Sequence, residues 1–136
     1  MGMYTEFVFA SNLKRDTPQD VIDILKAMTE GEGYELLNIP EDNFFKCDRW
    51  RWLFTCDSYC FDGETNTIFT YDDILKTYTL TVRSNLKNYN LEIQKFLKWI
   101  KPYLDKYEDD FLGCYRYEED NEPTLIYMKT IDGFLE

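Results

Sequence analysis

Residues 6–25, EFVFASNLKRDTPQDVIDIL, and residues 79–97, TLTVRSNLKNYNLEIQKFL, carry the same punctuation. Each opens with β-branched or aromatic residues in alternation, passes through Ser-Asn-Leu-Lys, and continues into apolar residues at helical spacing. The tetrapeptide stands at 11–14 and returns at 84–87, 73 positions later. Its recurrence at the same point of two strand–loop–helix units reads as an internal duplication.

Working outward, residues 4–11 read as a strand with Phe7 and Phe9 on one face. Thr17-Pro18-Gln19-Asp20 is a helix start, with Thr17 as cap and Asp20 favoured by the positive helix end. Val21, Ile22, Leu25 and Met28 then predict an amphipathic helix over 18–29, closed by Gly31 and Gly33. Residues 34–48 read as irregular, with Leu36, Leu37, Phe44 and Phe45 as packing residues. RWRWLFTCDSYCF (49–61) predicts a long strand with Trp50, Trp52, Phe54 and Cys56 on one face, followed by a turn at Asp62-Gly63. A short strand at 67–70 is a weaker reading. KTYTLTVR (76–83) predicts a strand, and Ile93, Phe96, Leu97, Ile100 and Leu104 a helix over 91–105, bent by Pro102. Residues 111–118 and 124–131 read as a hairpin around Asp120-Asn121-Glu122-Pro123.

The order β-α-β-β-α-β plus one strand predicts a single α+β domain over residues 1–136. Its expected architecture is a ferredoxin-like split βαβ, a two-layer sandwich with an extra C-terminal hairpin strand. Strands 1 and 3 are expected adjacent and parallel at its centre, with the two SNLK junctions side by side.

The chain has 136 residues, no histidine, and 26 acidic against 15 basic residues, a formal net charge of −11. The absence of histidine excludes His-dependent triads and His-containing metal sites. Phosphate backbones are repelled by such a charge, so no direct nucleic-acid ligand is expected. No apolar run approaches the ~18–20 residues of a membrane span, and the N-terminus lacks the basic region of a secretory signal; a cytoplasmic protein without membrane contact is expected. Cys47, Cys56, Cys60 and Cys114 have no C-x-x-C spacing and read as free thiols. There is no Gly-rich phosphate loop, and none of Ser11, Ser58 and Ser84 has a plausible catalytic base next to it in sequence. No metal, cofactor or catalytic residue is expected.

Three surfaces remain. Side-by-side junctions would gather Asn12, Lys14, Arg15, Asn85 and Lys87 into a donor-rich patch near two helix N-termini, suited to an anionic ligand. The sheet face without helices is expected to show Tyr4, Val8, Arg51, Leu53, Tyr115 and Tyr117, residue types that favour a protein partner or a homodimer. Residues 105–122 hold eight acids against Lys106 and Arg116, net −6. Within them Glu118, Glu119 and Asp120 are candidates to attract a basic partner.

DTPQDVIDIL, VRSNLKNYN and FLGCYRYEEDNEPTLIY resemble a small family of acidic bacterial proteins, of the kind borne on mobile elements or prophages. The resemblance implies no activity and carries over no site residue. The leading expectation is an acidic interaction module acting by protein–protein contact, an inhibitor of a basic partner being one form. The alternative is a small anionic-ligand-binding protein or enzyme at the SNLK junctions.

Overall fold

The structure is a computed structural model that describes residues 3–135. It is an α+β arrangement: a five-stranded antiparallel sheet with two α-helices packed on one face. The strands are β1 (Thr5–Asn12), β2 (Asn66–Asp72), β3 (Thr77–Leu86), β4 (Phe111–Tyr117) and β5 (Thr124–Tyr127), and the helices are α1 (Gln19–Glu30) and α2 (Glu92–Ile100). Their order across the sheet is β2-β3-β1-β4-β5.

β1 and β3 pair from Thr5↔Leu86 to Asn12↔Thr79 and run antiparallel, which corrects the expected parallel pairing. The register explains the duplication in another way. Phe9 faces Val82, and these positions are separated by the same 73 residues that separate the two SNLK stretches. A twofold axis through that pair therefore carries one junction onto the other. It leaves them at opposite ends of the central strands.

The strands bury one face because their apolar residues alternate. Phe7 and Phe9 of β1 and Leu80 and Val82 of β3 are fully buried, while Val8 between the phenylalanines is exposed. α1 lays Val21, Ile22, Ile24, Leu25 and Met28 on this layer, and α2 lays Ile93, Phe96, Leu97 and Ile100 there. Phe96 sits at the centre, its ring 6.2 Å from Phe7, 5.9 Å from Phe9, 5.5 Å from Phe44 and 5.4 Å from Phe54. Gly31 ends α1 in a left-handed conformation, its N–H donating to the Ala27 carbonyl. Pro18 takes the cap position and the Thr17 hydroxyl donates back to the Lys14 carbonyl.

The long strand expected over 49–61 does not form. Trp50–Trp52 is a single 3-10 turn, and the edge strand is β2, the weaker of the two readings. Trp50 is buried and Trp52 exposed, so the tryptophans do not share a face. Trp50 instead packs edge-on against Phe44, Phe45 and Tyr34. Tertiary aromatic packing has overridden local strand preference. Of the irregular segment's expected packing residues, Phe44 is fully buried, Leu37 and Phe45 pack against the core, and Leu36 is exposed. The last strand is shorter than expected, since Met128–Leu135 is a 3-10 segment.

β4 holds an irregularity at Gly113, with φ at +151°. A Cβ built there would lie 1.9 Å from the Val8 carbonyl oxygen, so only glycine lets β4 approach β1. Leu112 and Tyr115 on its two flanks both turn to the helix-covered side. Simple alternation from Leu112 would put Tyr115 on the other face.

Phe96→Ala is expected to lower stability by about 3–5 kcal/mol, the range for emptying an aromatic core position. Val8→Thr on the uncovered face should stay within about 0.5 kcal/mol. Urea unfolding of both variants checks the assignment of faces. Gly113→Ala should destabilise the β1–β4 pairing, read as faster amide exchange through β4.

Candidate functional site

The register separates the residues expected to form the anion patch. Asn12 faces Thr79 and Asn85 faces Glu6. Glu6 and Asn12 are six residue steps apart along β1, about 20 Å at ~3.4 Å per residue. The asparagines also do different work. Asn12 accepts a backbone bond from Asp105 N, and its amide reaches the Asp105 carboxylate at 3.5 Å. Lys14 N donates to the Tyr103 carbonyl, and Arg15 Nε donates to the Leu75 carbonyl at 3.1 Å. At the other end Lys87 lies over the Tyr4 ring.

Asn85 is fully buried and its side chain is occupied. Its Nδ2 donates to Asp57 Oδ1 at 2.9 Å and to the Gly63 carbonyl at 3.3 Å, and its Oδ1 accepts from Arg83 at 2.9 Å. Its backbone N–H donates to the Cys56 carbonyl, and neighbouring Ser84 Oγ donates to the Leu53 carbonyl at 2.7 Å. The second junction is thus a clamp that fastens the 53–63 loop beside the sheet.

The clamp builds the end of the molecule where the candidate surface lies. The loop reaches the end of β4 through Cys60 and Phe61, and carries Asp57, Tyr59, Asp62 and Glu64 next to them in sequence. Cys60 Sγ stands 3.4 Å from Glu118 Oε2, Arg116 lies over the Phe61 ring, and the Glu118 side chain also accepts from Tyr4 N. Tyr117, Glu119, Asp120 and Glu122 follow at the turn, and Tyr89 stands nearby, its hydroxyl accepting from Met3 N at 2.8 Å. Tyr59 is fully exposed and Tyr89 more than half exposed.

The acidic stretch 105–122 is divided by β4. Asp105, Glu108, Asp109 and Asp110 lie by Asn12 at one end, where Lys129 pairs with Asp109 at 3.0 Å. Glu118, Glu119, Asp120 and Glu122 lie at the other. There, among the described residues, Asp62, Glu64, Glu119, Asp120 and Glu122 make no ion pair. Arg83 and Arg116 are drawn to Glu6 on the sheet. Desolvation, and after it the charges of Glu119 and Glu118, hold the Tyr117 hydroxyl's pKa above the ordinary tyrosine value. Asp57 goes the other way, because hydrogen bonds from Asn85 and Ser58 N favour its ionised form.

Of the residues expected on a partner surface, Tyr4, Tyr117, Glu118, Glu119 and Asp120 come together at this end. Tyr115 faces Phe7 on the helix-covered side and packs edge-on against Phe134. Arg51 lies elsewhere, stacked over Tyr34 and Trp50, and Leu53 is core. The face without helices carries Glu6, Val8, Ile68, Thr81, Arg83, Cys114, Arg116 and Leu125 instead. The loop 57–64 was missed; its acid and aromatic content was visible, but nothing local placed it beside residues 117–122.

Between Met3, Thr5, Asn88, Tyr89, Gln94, Tyr115, Tyr117 and Asp120 lies a cleft of about 180 Å³. That is below the ~300–1,000 Å³ of metabolite pockets, and neither Asn12 nor Asn85 lines it. A wider groove is lined by Asn43, Lys46, Cys47, Asp48, Asn90 and Lys95. Burial pushes the Cys47 thiol up, which disfavours a nucleophilic thiolate there. Burial also raises the thiols of Cys56 and Cys114. Among the described residues no cluster of three metal-ligating side chains occurs, and no helix is long and apolar enough to cross a membrane. No family model, curated protein or solved structure matches the chain.

Two measurements follow from this geometry. Cys60 is the exposed thiol of the four, so a disulfide reagent should label one thiol per folded chain quickly and the rest on unfolding. Asp57 has a folded pKa below its unfolded value, so its contribution is present above the ordinary carboxylate range and lost as pH falls through the folded value. Asp57→Asn should therefore be less stable than the parent at pH 7, with the gap narrowing below about pH 4 in urea titrations.

Proposed function

We propose that this chain is an acidic interaction module on a ferredoxin-like plan, acting by contact with a basic protein partner as an inhibitor that occupies a basic groove would. The plan is supported by the strand order β2-β3-β1-β4, a helix after β1 and another after β3, with β5 added beside β4. The contact reading rests on one observation. Among the described residues, Asp62, Glu64, Glu119, Asp120 and Glu122, from two separate segments, make no ion pair and share one end of the sheet with exposed Tyr59 and Tyr89.

Carboxylates without internal partners keep their field available to a ligand, and such a field speeds encounter with a basic surface. Tyrosines among them offer amphipathic contact area, the type enriched in interfaces. The shallow cleft has room for one side chain of a partner and suits a protein better than a metabolite. The same charge opposes a nucleic-acid backbone.

Affinity capture from a native host extract tests this with two variants side by side. Glu119→Gln/Asp120→Asn/Glu122→Gln should lose a partner that the parent retains at low salt. Glu108→Gln/Asp109→Asn/Asp110→Asn, which removes as much charge at the opposite end, should retain it. Binding should fall steeply toward about 1 M salt, where exposed charges are screened within ~3 Å. Equal loss in both variants, or indifference to salt, would reject the assigned surface.

A further inference from the structure

We propose that β2 pairs edge to edge with the β2 of a second copy, joining two five-stranded sheets into one of ten strands. This surface is separate from the acidic end and does not depend on the basic-partner reading.

β2 is the outer strand of its side of the sheet. One of its edges is satisfied by β3, from Asn66↔Arg83 to Asp72↔Thr77. Among the described residues, the outward backbone groups between Asn66 and Tyr71 bond to no other backbone group. An open row of this kind is a template for another strand, and proteins usually blunt it with proline, lysine, a bulge or a very short strand. β2 has none of these in its seven residues, NTIFTYD. The opposite edge is blunted: β5 has four residues and passes directly into a 3-10 segment.

The sequence of β2 fits its own copy. Antiparallel pairing about Phe69 sets Ile68 opposite the second copy's Thr70, and Thr67 opposite its Tyr71. Asp72, the one charge on the strand, meets the second copy's Asn66, so no like charges face each other. Ile68 and Tyr71, both 47% exposed, gain cover from the added strand.

The size of the contact sets its strength. A seven-residue edge falls short of the ~1,200–2,000 Å² of stable interfaces, so the dimer is weak and concentration-dependent. Each copy carries −11, and this long-range repulsion is screened by salt. Added salt should therefore strengthen the dimer, the reverse of its effect on capture of a basic partner.

Light scattering behind gel filtration, over a range of protein and salt concentrations, tests the pairing. The mass should rise from 16.4 kDa toward twice that value as either concentration increases. Ile68→Lys/Thr70→Lys brings four lysines together on the uncovered side of the joined sheet. It should stay monomeric with an unchanged circular dichroism spectrum; if the double variant melts early, Thr70→Lys alone carries the same expectation. A monomer under all conditions would overturn the proposal. So would a lysine variant that dimerises like the parent, or a dimer whose β2 amides exchange as freely as the monomer's. That last result would point to another face, or to β2 as a docking strand for a foreign peptide.

Discussion

The antiparallel pairing of β1 with β3, centred on Phe9 and Val82, is the constraint from which the other elements take their places. It fixes which side chains of both strands meet the helices, and so defines one buried layer. It also sends the two strand–helix junctions to opposite ends. From that separation follows the difference in their roles, although their sequences are alike. One junction closes a tight connection beside Asp105 and Tyr103. The other became a buried polar clamp. The Asn85 amide, fully buried, already spends both of its N–H donors on Asp57 and Gly63.

Between α1 and β2 the chain runs through more than thirty residues without a strand. It is held by aromatic packing and by side-chain bonds to backbone carbonyls. Phe44, Phe45, Trp50 and Trp99 form one cluster. Ser84, Thr67 and Thr65 hold the carbonyls of Leu53, Phe54 and Cys56. The segment needs no ladder of its own, because its polar groups borrow partners from the sheet it covers. Its last part then delivers acidic and aromatic residues to the β4–β5 turn.

Charge is distributed by the same topology. β4 runs the length of the sheet, so one acidic stretch of sequence becomes two clusters. The cluster near Asn12 has a lysine partner, and the cluster at the turn meets more acid from the 57–64 loop. Concentration of unpaired charge is therefore a property of the folded chain, and composition alone showed only its total.

Local pattern was enough for both helices, for β1 and β3, and for the β4–β5 hairpin, because apolar spacing acts within a few positions; the expected Thr17 cap did not form, Pro18 taking that place. It was enough too for the core residues Phe7, Phe9, Phe96 and Leu97, and for the acidic turn at 118–122. It failed at Arg49–Phe61, where alternation looked like a strand but aromatic contacts with residues 34–45 were stronger. It also failed on the facing of Tyr115, which depends on an irregularity at Gly113 that only a close approach to Val8 requires. The duplication itself was legible; whether its copies lie together or apart was not. That depends on the relative direction of two strands 73 residues apart in sequence, and direction is decided by long-range pairing, which no local spacing encodes.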